Sequence, residues 1–148
     1  MKNHKLPAKI TLWVNRGVGI LIGILLFTLP LILDWYANFR DLGEIGQRVV
    51  TVAFYCCAVV IAVALWNMDV MLRAILRDEV FVSDNVRRLR TLRLCCGLVS
   101  LICLIAGVAY PPVMFIAIIM GFLCLTVSVV ASVMDAAVAL REENDLTI

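Results

Sequence analysis

Residues 94–134 read LCCGLVSLICLIAGVAYPPVMFIAIIMGFLCLTVSVVASVM, with no charge between Arg93 and Asp135. A bilayer's hydrocarbon core, about 30 Å thick, takes about 20 helical residues to cross, and every backbone amide must pair within the segment. The stretch is long enough for two crossings and is broken near its middle by Tyr110, Pro111 and Pro112. Tandem prolines remove two amide donors and disfavour helix at the preceding residue, while a tyrosine suits the headgroup level. The reading is a tight helical hairpin with spans over 94–110 and 113–134.

Two more runs of spanning length lie upstream, over 12–33 and 49–68. Arg16, near the start of the first, can snorkel to the headgroups, and Asp34, Trp35 and Tyr36 form an interfacial collar at its far end. Pro30 interrupts the backbone ladder there and predicts a kink. The basic N-terminus ahead of an apolar run has the look of a secretory signal. The run is too long for one, however, and no small-x-small cleavage site follows, so an uncleaved first span is expected. Composition agrees: 64% hydrophobic and 16% charged residues stand far from the soluble balance of about half and about a quarter. The expected fold is an all-α integral membrane four-helix bundle, one transmembrane domain over 1–148.

The basic residues orient it. Lys2, Lys5, Lys9 and Arg16 precede or open the first span, Arg73, Arg77, Arg87, Arg88, Arg90 and Arg93 lie between the second and third, and Arg141 follows the fourth. Only Arg40 and Arg48 fall on the other side. Positive charge accumulates on cytoplasmic segments. Both termini, the loop 69–93 and the tail 135–148 are therefore expected in the cytoplasm, with the protein in the cell membrane. A net charge of +2 gives no reason to expect direct nucleic-acid binding.

Chemistry-bearing patterns are sparse. All six cysteines, Cys56, Cys57, Cys95, Cys96, Cys103 and Cys124, fall within apolar runs without a Cys-x-x-Cys spacing, and the outer loop has none. Membrane burial accounts for them, whereas a quinone-linked thiol oxidoreductase needs exchangeable pairs at the outer face. The one histidine, His4, stands in a basic tail, and no metal-ligand spacing, hydrolytic triad or phosphate-binding glycine loop is present. No cofactor and no enzymatic activity are expected. A proton-coupled exporter needs a carboxylate within the membrane, yet Asp34, Asp69 and Asp135 fall at span ends, with Asp135 the one that a shifted span would draw inward. Gly19 and Gly23 form a Gly-x-x-x-Gly pair that predicts a helix-packing seam, either within the chain or with a second copy.

The segment between the second and third spans keeps apolar residues among its ions and reads as structured. Asp69 and Arg73 stand four apart with the acid first, so the second helix should project past the bilayer until Asp78 and Glu79 close it. Ser83 is a good N-cap for a helix that starts at Asp84 and runs into the third span. Its Leu89 and Leu92 share one side, with Arg87, Arg88, Arg90 and Arg93 around the remainder. That basic collar either anchors topology or binds something anionic: lipid headgroups, an acidic partner, or Glu142, Glu143 and Asp145 of the chain's own tail.

Phe81-Val82-Ser83-Asp84-Asn85, leading into Val86-Arg87-Arg88-Leu89-Arg90, and the closing Glu143-Asn144-Asp145-Leu146-Thr147-Ile148 resemble a bacterial four-span family catalogued as domain of unknown function 2975. The resemblance covers nearly the whole chain, although many relatives have a glycine where Asp78-Glu79 stands here. It implies a membrane protein without an assigned activity, often encoded beside a small helix-turn-helix regulator of the Cro type. The expectation is a non-enzymatic regulatory or scaffolding protein. Its cytoplasmic docking surface would comprise Phe81, Ser83, Asn85, Arg87, Arg88, Arg90, Glu143, Asn144, Asp145 and Leu146, and a helix-turn-helix regulator is the partner the family implies. The alternative is a small transporter or export accessory subunit acting as an oligomer.

Overall fold

The computed structural model describes residues 5–40, 43–77 and 83–146. They form the helices α1 (Lys5–Arg40), α2 (Glu44–Leu76), α3 (Ser83–Ala109) and α4 (Pro112–Leu146), and no strand occurs among the described residues. All four are long and apolar enough to cross a membrane. Their surface agrees: Phe27 is 88% exposed and Phe115 71%, positions that water would disfavour and lipid tails accept.

Local chemistry sets the boundaries. Glu44 puts an acid in the first turn of α2, and the amide of Gln47 donates to Gly43 O at 3.2 Å. At the other end the Arg77 amide donates to Ala74 O at 3.0 Å. The hairpin is tighter: the amide of Tyr110 completes α3 on Ala106 O, and α4 opens with Val113 and Met114 donating to Tyr110 O and Pro111 O, all at 3.0 Å. Pro112 occupies the first helical position of α4, where a missing amide costs nothing.

α1 packs on α2, α2 on α3 and α3 on α4, each pair antiparallel; among the described residues no other two helix backbones meet. The bundle is thus an open row with α1 and α4 at its edges. At the hairpin end a lateral tie joins α1 to the turn, where the hydroxyls of Tyr36 and Tyr110 hydrogen-bond across edge-on rings 6.4 Å apart. Asp34 accepts from Gln47 Nε2 at 2.9 Å at the same end. The core centres on Cys57, Val99, Cys103 and Ala117, flanked by Ile61, Ile102 and Met120.

Glycines on α3 and α4 sit close against the facing helix. A Cβ on Gly97 would stand 3.5 Å from Cys124 Sγ, one on Gly121 would stand 3.3 Å from Ser100 Oγ, and one on Gly107 would overlap Met114. Ser100 Oγ donates to Ala117 O at 2.8 Å across the same seam. Small residues allow this proximity, and in lipid, where apolar burial drives no association, contact itself holds helices together. The Gly19 and Gly23 pair is different. Gly19 faces Leu65 of α2 at an ordinary 3.8 Å, and Gly23 has open space around it.

Candidate functional site

Polar contacts concentrate at the end where the termini and the α2–α3 connection gather. On α2, Asp69 accepts from Arg73 one turn on and from Arg16 Nε of α1 at 3.3 Å, and its side chain is only 13% exposed. One turn earlier Asn15 Nδ2 of α1 donates to Leu65 O at 3.1 Å. One carboxylate and one backbone carbonyl thus hold α1 against α2 at the level where the apolar run of α2 ends. On the other side of the row, Arg90 of α3 binds Asp135 of α4 at 2.7 Å, both partners being more than half exposed. Exposed pairs of this kind are worth about 0–1 kcal/mol, so the contact fixes register more than it stabilises.

The arginine collar divides. Arg87 points to solvent and Arg90 to Asp135, while Arg88 is half-buried on the side toward α2. Beneath them Asn85, Val86 and Leu89 are buried, and no buried side-chain nitrogen or oxygen among the described residues lacks a partner. This turn of α3 is therefore packed structure with its charges sorted onto separate faces. Between it and the end of α2 lies a cleft of 280 Å3 lined by Arg73, Arg77, Asp84, Asn85 and Arg88, among others.

The segment read as a tail continues α4 as helix through Leu146. Val138 is buried on it, whereas Glu142, Glu143 and Asn144 are exposed, and Leu146 is 88% exposed. Glu143 makes an interaction of its own. Phe81, Asp78 and Glu79 lie outside the described residues, as do the side chains of Ser83 and Asp145. Among the docking candidates the structure joins the start of α3 to α4 through Arg90 and Asp135, and it carries Glu143, Asn144 and Leu146 two to three turns beyond that pair.

Sequence reasoning missed the role of Asn15 and the partner of Arg16. The available signal was a polar pair, Asn15-Arg16, at the edge of an apolar run. It also could not bring Cys57 and Cys103 together; their sulfurs are 3.9 Å apart across α2 and α3, and all six thiols are free.

The family described as "Protein of unknown function (DUF2975)" matches residues 21–148. No curated protein matches the chain, and no solved structure does. The match runs from the middle of α1 through the α2–α3 connection to the C-terminal motif, and the chain belongs to the DUF2975 family.

Proposed function

We propose that this protein is a non-enzymatic docking or scaffolding protein of the cell membrane, with both termini in the cytoplasm and a regulatory partner received on the paired extensions of α3 and α4. The observation that carries the reading is that these extensions are built rather than loose: Val86, Leu89 and Val138 are buried on them, Arg90 ties to Asp135, and Arg87, Glu142 and Asn144 are left exposed. An ordered surface of mixed charge beyond the bilayer suits a protein partner, because the entropy of ordering it has already been spent. The helix-turn-helix regulator implied by the resemblance is the partner class proposed. The engagement of Asp135 by Arg90 at a span end favours a structural tie over a proton relay, which needs a carboxylate free to titrate within the membrane.

Cross-linking followed by affinity capture from membranes tests this, comparing the full chain with one that ends at Arg141. Both should insert to the same level, and the shorter chain should lose the partner that the full chain retains. Equal capture by the two overturns the reading.

A further inference from the structure

Sulfur gathers at the centre of the bundle. Cys57 of α2 and Cys103 of α3 are both buried, and their Sγ atoms stand 3.9 Å apart. Met120 of α4 packs against the same cluster, which Val99 and Ala117 complete with apolar groups. The three sulfur side chains come from three different helices, so no local spacing in the sequence announces them. Thiol and thioether sulfur is soft and polarisable, and a set of this kind selects copper(I) over harder divalent ions. A structural zinc centre takes four ligands, whereas no group of three His, Cys, Asp or Glu side chains gathers among the described residues.

The separation of the two thiols fits an ion between them. With metal–thiolate bonds of about 2.2–2.3 Å, sulfurs 3.9 Å apart subtend an angle of about 115–125° at the metal. That is the angle of a trigonal centre, which takes a third ligand. Met120, long and unbranched, has the reach to be that ligand. Cys57 and Cys103 fall near the middle of the apolar runs 49–68 and 94–110, where a net charge is costly. One thiolate balances the single charge of copper(I), and the second cysteine and Met120 coordinate as neutral sulfurs. One proton leaves for each ion bound, and no electron is transferred.

We propose that Cys57, Cys103 and Met120 form a copper(I)-binding site within the membrane. Another sulfur stands on the approach to it. Cys124 of α4 lies against Gly97 and donates to Arg93 O at 3.4 Å, and Gly97 is about 9 Å along α3 from Cys103. An ion entering from the Arg93 end therefore meets a soft donor before it reaches the pair. The site does not depend on the docking reading, because its ligands lie inside the spans and not on the extensions of α3 and α4.

The experiment compares the full chain with one in which Cys56, Cys95, Cys96 and Cys124 are replaced by alanine, both purified in maltoside detergent without oxygen. Copper(I), kept reduced by ascorbate, is titrated in competition with bicinchoninate, and copper X-ray absorption counts the ligands. Both chains should take up the ion, and the restricted chain should hold one, in a shell of three sulfurs at about 2.2–2.3 Å. Losing a ligand costs more than the about 10–100-fold typical of an outer-shell partner. In the restricted chain Cys57→Ala and Cys103→Ala should therefore each weaken uptake by about a hundredfold or more. Met120→Leu should weaken it by about tenfold and reduce the shell to two sulfurs, a change that loosened packing does not produce. Val99→Ala, which opens the same core without touching a sulfur, should keep both the uptake and the shell. No uptake by the full chain, or uptake that the restricted chain lacks, overturns the proposal. So does uptake undiminished by Cys57→Ala or Cys103→Ala, or a shell that still counts three sulfurs in Met120→Leu.

Discussion

Pro30 has no amide to give Leu26 O, the carbonyl one turn back, and such a group facing lipid has no water to turn to. The hydroxyl of Tyr55, on α2, approaches that oxygen at 3.4 Å, and α1 continues without interruption to Arg40. Hydrogen bonds between membrane helices average about 0.6 kcal/mol, so Tyr55→Phe should destabilise the protein by about 0.5–1 kcal/mol. In a Pro30→Ala background, where the helix supplies its own donor, the same change should cost close to nothing. Reversible unfolding in mixed micelles measures both, and an equal cost in the two backgrounds disproves the pairing. Pro30 was legible in the sequence as a break in the ladder, but its remedy was not. Tyr55 is distant along the chain, and only the register of α1 on α2 brings its hydroxyl to Leu26. Arg16 is similar, read as a headgroup anchor and found on Asp69.

At the level of elements the α3–α4 hairpin offers the sharpest contrast. Glycine substitutions should follow the space that each Cβ meets. Gly107→Ala, which collides with Met114 and stands 3.3 Å from its backbone nitrogen, should cost about 1–3 kcal/mol as overpacking. Gly121→Ala needs Ser100 to shift by a few tenths of an ångström and should cost less. Gly23→Ala meets nothing within 4 Å and should be neutral or slightly stabilising, since alanine favours helix. Thermal unfolding of the three variants gives the order, and a Gly23→Ala defect as large as that of Gly107→Ala contradicts the packing. The hairpin itself was readable because two prolines and the length of the apolar stretch leave few alternatives. The seam was less so: Ala117, Gly121, Cys124, Ser128 and Ala131 recur on one face of α4, yet only the known position of α3 turns that face into a contact. The helical continuation of α4 to Leu146 was also missed, since Glu142 to Asp145 carry charge without an apolar face strong enough to announce a helix.

For the whole molecule, four apolar helices were legible from length and charge alone, and their lateral order was not. Residues facing lipid and residues facing another helix are equally apolar, so hydropathy cannot say which helices touch. Cys57 and Cys103 provide a direct measure of that order. In a chain with the other four cysteines replaced by alanine and a protease site placed between Arg77 and Ser83, copper-phenanthroline oxidation should close the 3.9 Å gap to a disulfide of about 2.05 Å. The two fragments should then stay joined after cleavage until reductant is added. Fragments that separate without reductant refute the α2–α3 register. The open row has its own consequence at this scale, because every helix keeps a face toward lipid and changes in the bilayer reach each one directly.

The length of α4 turns that exposure into mechanics. Its 35 residues make a rod of about 52 Å, pivoting on the proline turn and stiff through the last charged turns. Helices answer a change in bilayer thickness by changing tilt, and each degree of tilt about the hairpin end swings Leu146 sideways by about 0.9 Å. In this geometry α4 is a lever whose long arm converts a small strain in the lipid into a much larger displacement at the charged tip.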